Sequence, residues 1–150
     1  MAQNSGLMKG KRGVILGVAN NRSIAWGIAK ACHAAGAEIA LTWQGDALKK
    51  RVEPLAKELE GLLLGHCDVT DPSTIDAVFE VLKEKWGKID FVVHAIAFSD
   101  KDQLDGRYLE TTADNFSRTM LISCYSLTAI AQRAEIALTR MFFSPRSAAR

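Results

Sequence analysis

The sequence predicts an α/β fold: the N-terminal part of a doubly wound, Rossmann-like parallel sheet with helices on both faces. Four apolar runs, at residues 14–18, 38–43, 62–66 and 91–95, alternate with helical patterns along the 150 residues. Three of these runs are nearly continuous hydrophobics, which is typical of strands covered on both faces. The alternation implies right-handed crossovers, which place helices on both sides of the sheet. The expected strand order is 3-2-1-4, with a ligand crevice at the carboxyl ends of the first and fourth strands, where the order reverses.

Composition and charge narrow the class of protein. The chain is 48% hydrophobic and 24% charged, as folded globular domains are. Its net charge of +2 gives no electrostatic reason to expect nucleic acid or an anionic membrane as a partner. No apolar run is long enough to span a bilayer, and residues 1–12 lack the apolar segment of a signal peptide. Three cysteines without a C-x-x-C pair are typical of reduced thiols, so we expect a cytoplasmic protein.

Apolar spacing predicts the first two helices. In the first, predicted over residues 23–35, apolar residues recur at spacings of four and three: Ile24, Ile28 and Ala31. Gly36 is placed to end it. The second helix carries four apolar residues: Leu48, Val52, Leu55 and Leu59. Pro54 falls inside this pattern, which indicates either a kink or a later start.

Two further helices follow the third and fourth strands. The third begins after Pro72 and has one apolar face: Ile75, Val78, Phe79, Leu82 and Trp86. The fourth is longer, begins near residue 112 and carries four large apolar residues: Phe116, Met120, Leu127 and Ile130.

A strand, a glycine turn and a helix follow one another at residues 14–27. This geometry directs free backbone N–H groups and the positive end of a helix toward a phosphate. Gly17 suits the tight turn and leaves room for a ligand, and Ser23 lies where it either caps the helix or binds phosphate. Gly27 would let the helix and the sheet approach closely. Because the spacing is not G-x-G-x-x-G, an ordinary strand–helix junction remains the alternative.

The carboxyl ends of the four strands are expected to meet around one ligand. These ends lie at residues 17–19, 43–44, 67–69 and 94–97. Asp68 would accept a hydrogen bond from an adenine amino group, with Val69 beside the base; the alternative for Asp68 is a turn or capping residue.

The end of the second strand selects between dinucleotides. An acidic side chain there holds a ribose 2′-hydroxyl, whereas an arginine accepts a 2′-phosphate. This chain has the neutral Gln44, which favours NADH. Lys49, Lys50 and Arg51 lie further along and leave NADPH as an alternative, although a solvated helix face explains them more simply.

Several motifs, in order along the chain, resemble those of the enoyl-acyl-carrier-protein reductases, a divergent group of short-chain dehydrogenases. They are Gly17-Val18-Ala19, Ser23-Ile24-Ala25-Trp26-Gly27-Ile28-Ala29, Thr42-Trp43-Gln44, Cys67-Asp68-Val69, His94-Ala95-Ile96-Ala97-Phe98 and Asp102-Gln103-Leu104-Asp105-Gly106. The resemblance implies a bacterial NADH-dependent enzyme of fatty acid synthesis. Such an enzyme reduces the 2,3-double bond of an enoyl thioester carried on acyl carrier protein.

The resemblance also implies roles for particular residues. Seven positions correspond to cofactor contacts: Gly17, Ser23, Ile24, Gln44, Asp68, Val69 and Ile96. Ser99 corresponds to a residue that lines the substrate thioester, and Phe98 to one near the nicotinamide. The family usually has alanine at the position of Ser99. The resemblance also implies a homo-oligomer. The exposed apolar side of the fourth helix and the open edge of the fourth strand therefore lead us to expect that this chain associates with other copies of itself.

The resemblance ends near residue 135, which predicts a dinucleotide-binding domain at 1–135 and a divergent tail at 136–150. The family's catalytic tyrosine and lysine are separated by six residues and follow a fifth strand. Neither tyrosine here has a lysine at that distance, since the residue seven positions after Tyr108 is Asn115 and the residue seven positions after Tyr125 is Gln132. We therefore expect the pair to lie beyond the end of this chain, through a frameshift or an early stop in the coding sequence. Tyr125 is expected in core packing or a helix pair.

No metal site is predicted. Cys32-His33 and His66-Cys67 are neighbours in sequence, and neighbouring side chains diverge in a helix or a strand. Such pairs cannot direct two ligands at one zinc ion.

Overall fold

The computed structural model describes residues 6–137, and the side chains of residues 6–135. In this part, strands and helices alternate: β1 (Arg12–Leu16), α1 (Ile24–Ala34), β2 (Glu38–Trp43), α2 (Gly45–Glu58), β3 (Leu62–His66), α3 (Pro72–Trp86), β4 (Phe91–His94), α4 (Ala113–Met120) and α5 (Ser126–Ala137). A π-helical turn, Leu121–Tyr125, joins α4 to α5. Short 3-10 turns lie at Lys101–Gln103 and Tyr108–Glu110. The side chains of the predicted tail at 136–150 lie outside the described residues.

The four strands form one parallel sheet in the order β3-β2-β1-β4, which confirms the predicted order. Val14 of β1 lies opposite Ala40 of β2 on one side and Val92 of β4 on the other. The second and third strands have the predicted bounds, whereas β1 ends at Leu16 and β4 at His94, earlier than expected. The central position of β1 places its carboxyl end in the middle of the sheet edge.

Helices cover both faces of the sheet, as predicted. Consecutive residues of β1 alternate between the two layers because side chains along a strand point to opposite faces. Ile15 packs in the layer of α1 and α2, whereas Val14 and Leu16 pack in the layer of α3 and α5. All three side chains are fully buried.

The buried face of α1 differs from the predicted one. Ile24 is 81% exposed and Ala31 is also exposed, whereas the residues that contact the sheet are Ala25, Trp26 and Ala29. The prediction for Gly27 is wrong as well, since a Cβ built there would meet nothing within 4 Å. The apolar residues on both faces have helical spacing, so spacing alone does not determine which side meets the sheet.

The two helices that contain a proline, α2 and α3, differ in where the proline lies. The helix α2 starts at Gly45 and continues through Pro54, so the later start is wrong. The helix α3 starts at Pro72, where the missing N–H costs nothing. Asp71 caps it by accepting a hydrogen bond from the Ser73 N–H at 2.9 Å.

The predicted fourth helix is α4, the π-helical turn and α5 in sequence. Ile130 is buried against the sheet, as its apolar character suggests. Phe116, Met120 and Leu127 are between 42% and 50% exposed in this chain, so they do not form part of its core. Tyr125 is 55% exposed, and core packing is therefore the wrong role for it.

Ion pairs and hydrogen bonds close the amino end of the sheet. Asp90 accepts from the Lys11 ammonium at 3.0 Å and from the Arg12 backbone N–H at 2.9 Å. Arg12 in turn pairs with Glu38 and lies over the ring of Trp86. These contacts join residues at the amino ends of β1, β2 and β4, at the opposite end from the predicted crevice.

Across residues 6–137, no helix combines the length and the apolar character that crossing a membrane requires. The same residues hold no group of three or more His, Cys, Asp or Glu side chains placed to bind one metal ion.

Candidate functional site

The carboxyl ends of all four strands open into one cavity of about 410 Å³, as predicted from the strand order. The walls come from the segments after β1, β2, β3 and β4, and from α4 with its π-helical turn. The lining residues are Gly17, Val18, Ala19, Thr42, Trp43, Gln44, Leu48, Cys67, Asp68, Val69, Thr70, Ala95, Ile96, Ala97, Phe98, Arg118 and Ile122. The cavity is thus lined by six of the nine residues predicted for the site: Gly17, Gln44, Asp68, Val69, Ile96 and Phe98.

Gly17 forms the floor of the cavity by close backbone packing. Its φ is +98°, a left-handed conformation that favours glycine. A Cβ built on Gly17 would lie 2.0 Å from the carbonyl oxygen of Ala95. The tight turn is therefore as predicted. In the direction of a Cβ, the space beside Gly17 is filled by the backbone that follows β4, while Gly17 itself still lines the cavity.

Ser23 and Ile24 lie at the start of α1 and do not line the cavity with their side chains. Ser23 occupies the capping position without making a capping hydrogen bond. Its hydroxyl donates to the Asn20 carbonyl at 2.6 Å and accepts from the Ala19 N–H at 3.4 Å. The serine thus shapes the turn itself. The first N–H groups of a helix have no partner within it, so the start of α1 presents backbone donors and a positive dipole end.

Gln44 and Asp68 bridge the ends of β2 and β3. The Gln44 side-chain amide donates to Asp68 Oδ2 at 3.0 Å. Asp68 Oδ1 accepts from the backbone N–H and the hydroxyl of Thr70, at 2.9 and 2.6 Å. The Thr70 hydroxyl is the main reason that the pKa of Asp68 is lowered, with smaller help from Gln44. Asp68 is therefore a turn residue, one of its two predicted roles, and a charged hydrogen-bond acceptor in the cavity wall.

The basic residues after β2 are mostly solvated. Lys49, Lys50 and Arg51 are all exposed on α2. The Lys49 ammonium lies 5.4 Å from the ring centre of Trp43, whose side chain lines the cavity. One cation is thus held near the second strand end, although the strand end itself carries the neutral Gln44.

The segment after β4 is fastened to α4 by hydrogen bonds. Asn115, which is 4% exposed, accepts from the Asp100 N–H at 3.0 Å. Its amide also bonds the hydroxyl of Ser99, which Thr119 contacts at 3.2 Å. The Ser99 hydroxyl is therefore directed at α4, and Ser99 does not appear among the described lining residues of the cavity. The Ser123 hydroxyl contacts the N–H and carbonyl of Phe98.

The sequence analysis missed the contribution of α4 to the cavity. Arg118 and Ile122, one helical turn apart, both line it. Arg118 donates from one guanidinium nitrogen to both carboxylate oxygens of Asp100, at 2.9 and 3.0 Å. The apolar spacing of the predicted fourth helix drew attention to other residues, and it gave no signal for Arg118 or Ile122.

Among the described cysteines and tyrosines, Cys67 alone lines the cavity. Burial raises the pKa of the Cys67 thiol to about 11, so it is uncharged at neutral pH. Cys32 is half-buried and Cys124 is exposed, both as free thiols. Tyr108 is 77% exposed on its 3-10 turn.

The fold and the cavity together define a doubly wound α/β unit of the Rossmann type. A family model described as enoyl-(acyl carrier protein) reductase matches residues 17–141. The chain therefore belongs to the enoyl-(acyl carrier protein) reductase family.

Two similar relatives come from Rhizobium meliloti. Enoyl-(acyl-carrier-protein) reductase (NADH) 1 is 78% identical over 135 residues, which cover 90% of this chain and 50% of that protein. Enoyl-(acyl-carrier-protein) reductase (NADH) 2 is 63% identical over 130 residues, covering 87% and 48%. The chain thus spans about half the length of the curated relatives it matches.

Solved structures of similar proteins have the same fold. The reductase of Anaplasma phagocytophilum in complex with NAD has a TM-score of 0.83 and 57% identity, covering 87% of this chain and 50% of that one. The Bacillus cereus reductase with NADP+ has a TM-score of 0.85 and 44% identity, covering 89% and 52%.

Proposed function

We propose that this chain supplies the NADH-binding part of an enoyl-acyl-carrier-protein reductase of fatty acid biosynthesis. The observation that carries the proposal is the meeting of four strand ends around one cavity of about 410 Å³. A cavity at the point where the strand order reverses is where this type of fold binds dinucleotides. Family membership and the names of the relatives, which specify NADH, support the same cofactor.

The cofactor would lie along the sheet edge, held by groups that the chain offers in order. Backbone N–H groups at the start of α1, near Ser23 and Ile24, would bind the pyrophosphate. The carboxylate of Asp68 would accept from the adenine amino group, with Val69 beside the ring and Gln44 near the ribose. Gly17 and Ile96 would present backbone that is close enough for the ribose and nicotinamide portions.

Bound NADH supplies the hydride that reduces the 2,3-double bond of the enoyl thioester. Residues of this chain would form one wall for that chemistry, with Phe98 near the nicotinamide and Ser99 on the substrate side. Because the Ser99 hydroxyl bonds Asn115 and Thr119, we expect Ser99 to contribute mainly through its backbone. The 150 residues contain no Tyr-x6-Lys pair, so we expect this chain to bind NADH without reducing substrate.

A titration of the 150-residue chain against NADH, followed by nicotinamide fluorescence, tests the binding step. We expect saturable binding that Asp68→Ala weakens by roughly 10-fold, because a hydrogen bond to a charged group contributes about 1.5–3 kcal/mol. Asp46→Ala, which removes an exposed carboxylate from the first turn of α2, is the matched control. Failure of the folded chain to bind NADH saturably contradicts the proposal.

A second candidate is a nucleotide-binding protein without catalytic function, which the missing Tyr-x6-Lys pair favours. The two candidates differ in substrate turnover. Absorbance at 340 nm, followed with NADH and crotonyl thioester, is expected to stay constant for this chain alone. A decrease comparable to that of an active reductase would contradict the expectation that these 150 residues do not reduce substrate.

We further propose a cytoplasmic location, an enoyl-acyl-carrier-protein as the partner of the whole protein, and self-association into a homo-oligomer. We propose residues 1–135 as the cofactor-binding domain.

Support for self-association comes from large apolar side chains exposed along α4, the π-helical turn and α5: Phe116, Met120, Leu121, Tyr125 and Leu127.

A further inference from the structure

A hydrogen-bonded chain links β4 to the π-helical turn beneath the cavity. His94 Nε2 lies 2.7 Å from the hydroxyl oxygen of Ser126, and that hydroxyl lies 2.5 Å from the carbonyl oxygen of Ile122. Ser126 is 1% exposed, and His94 is half-buried. His94 directly precedes the segment 95–98, and Ile122 itself lines the cavity. The chain of contacts therefore joins two of the cavity's walls.

The protons in this arrangement have one consistent assignment. A serine hydroxyl has a single proton, and the carbonyl of Ile122 can only accept. Ser126 therefore donates to Ile122, and His94 donates from Nε2–H to the Ser126 oxygen. Burial lowers the pKa of His94, which favours the neutral ring at neutral pH. With the ring neutral and its proton on Nε2, both hydrogen bonds, from His94 to Ser126 and from Ser126 to Ile122, have a donor and an acceptor.

The π-helical turn explains why Ile122 needs this hydroxyl. The backbone N–H of Ser126 donates to the carbonyl of Leu121, five residues earlier, instead of to Ile122 as in an α-helix. The Ile122 carbonyl thereby loses its usual partner, and the Ser126 side chain replaces it. π-Helical turns within helices are often found at functional sites.

The pair does not have the geometry of a nucleophile and its base. A nucleophilic serine must be accessible and must give its proton to the histidine. Ser126 is almost fully buried and gives its proton to a backbone carbonyl. The arrangement is suited to holding Ile122 in place.

We propose that Ser126 and His94 are positioning residues for the bound dinucleotide: together they hold Ile122 in the cavity wall. This inference rests on the proposed NADH binding. Loss of the hydrogen bonds from His94 to Ser126 and from Ser126 to Ile122, together called the relay, would let the π-helical turn relax toward regular α-helical bonding. That change would rotate Ile122 relative to the segment after β4. The cavity would lose its fit to the cofactor while the sheet stayed folded.

The experiment compares NADH binding by the 150-residue chain and its variants, each confirmed as folded by circular dichroism. Ser126→Ala and His94→Leu are expected to weaken NADH binding by roughly 5-fold, as loss of one neutral hydrogen bond implies. His94→Gln keeps an N–H donor at a similar reach and should restore binding to within about 2-fold of the original chain. Combining Ser126→Ala with His94→Leu should add little, because both remove the same interaction. Ser117→Ala, an exposed serine of α4, is the matched control.

A second measurement does not depend on the cofactor. Long-range ¹H–¹⁵N spectra of the histidine rings should show His94 protonated at Nε2, and the ¹³C-methyl signals of Ile122 should move in Ser126→Ala but not in Ser117→Ala. Unchanged Ile122 signals, or unchanged NADH affinity in both Ser126→Ala and His94→Leu, would overturn the inference. If the original chain itself does not bind NADH, the proposed function fails, whereas the spectra still decide whether the relay holds Ile122.

Discussion

The Cα of Gly17 lies so close to the carbonyl of Ala95 that a Cβ on residue 17 would be 2.0 Å from that oxygen. The contact joins the segments after β1 and β4, the two strands that flank the reversal of strand order. Because the neighbouring atom is backbone, a side chain at residue 17 could be accommodated only by moving the segment after β4.

Replacement of Gly17 by alanine should therefore disrupt both the fold and the cavity. We expect Gly17→Ala to lower the free energy of unfolding by about 2–5 kcal/mol, from the overlap and the strained positive φ together. Urea denaturation measures the loss, and NADH fluorescence should show weakened binding in the fraction that folds.

The matched control is Gly27→Ala, at the second glycine that the sequence singled out. A Cβ at Gly27 meets nothing within 4 Å, and the residue lies inside α1. We expect Gly27→Ala to raise the free energy of unfolding by about 0.5–1 kcal/mol, because alanine has the higher helix propensity. Equal effects of the two substitutions would contradict the close approach at Gly17.

Asp90 interacts with the Lys11 ammonium and with the Arg12 backbone N–H. These interactions should make the free energy of unfolding decrease as the pH becomes acidic. The Arg12 backbone hydrogen bond is the main cause of the lowered pKa of Asp90. A lowered pKa stabilises the fold above the unfolded value of about 4, and this contribution is lost as pH falls through the folded value. Asp90→Asn should lower the free energy of unfolding by about 1 kcal/mol at pH 7 and change it little near pH 2. Urea denaturation at both pH values, with Glu84→Gln as the exposed control, measures the difference.

Asn115 should be more important for stability than other asparagines. It is 4% exposed and holds the Asp100 N–H and the Ser99 hydroxyl against α4. Asn115→Ala is expected to cost about 1–3 kcal/mol, because the Asp100 N–H loses its acceptor. Asn21→Ala, at an exposed position, should change the free energy of unfolding by less than about 0.5 kcal/mol. A comparable loss in the two variants would show that the segment after β4 does not depend on Asn115.

The end of β2 should favour NADH over NADPH. Gln44 offers no charge to a 2′-phosphate, and Lys49 is directed toward the ring of Trp43. We expect NADPH to bind at least roughly 10-fold more weakly, since one missing ion pair in such a site is worth about 1–2 kcal/mol. Competition titrations give both Kd values. Because Lys49 forms no ion pair with the 2′-phosphate in this arrangement, Lys49→Ala should leave both Kd values within about 2-fold, as should the control Lys57→Ala. Tighter binding of NADPH than of NADH would contradict the prediction.

The exposed apolar side chains of α4 and α5 should make the chain associate. Multi-angle light scattering is expected to give a mass above that of the 16.4 kDa monomer, rising with concentration. Substituting Met120 and Leu127 with glutamate should lower that mass, whereas Leu104→Glu, at an exposed leucine outside these helices, should not. A monodisperse monomer would contradict the prediction.

Strand order and strand position were predictable because both depend on short-range pattern and general rules of chain connection. Continuous apolar runs separated by single helices indicate a parallel sheet, and right-handed crossovers place helices on both of its faces. The order 3-2-1-4 is one of the common orders of doubly wound sheets, and in such sheets the strand ends converge, which gave the place of Gln44 and Asp68.

The wrong predictions concern positions where two apolar patterns have the same spacing, or where contacts between residues distant in sequence determine the direction of a side chain. In α1, residues 24, 28 and 31 and residues 25, 26 and 29 both have helical spacing, and only the sheet determines which set is buried. The direction of the Ser99 hydroxyl depends on Asn115, sixteen residues later. The cavity contact of Ile122 depends on a π-helical turn, for which the sequence offers no simple signal.

The central place of β1 in the sheet also determines when its pairing can be completed during synthesis. Its partner segments lie 26 residues ahead at Glu38 and 78 residues ahead at Asp90. Closing the longer loop costs about 1 kcal/mol more chain entropy than closing the shorter one. A nascent chain that has emerged only as far as β3 would therefore display one side of β1 unpaired, as an open edge with free backbone N–H and carbonyl groups.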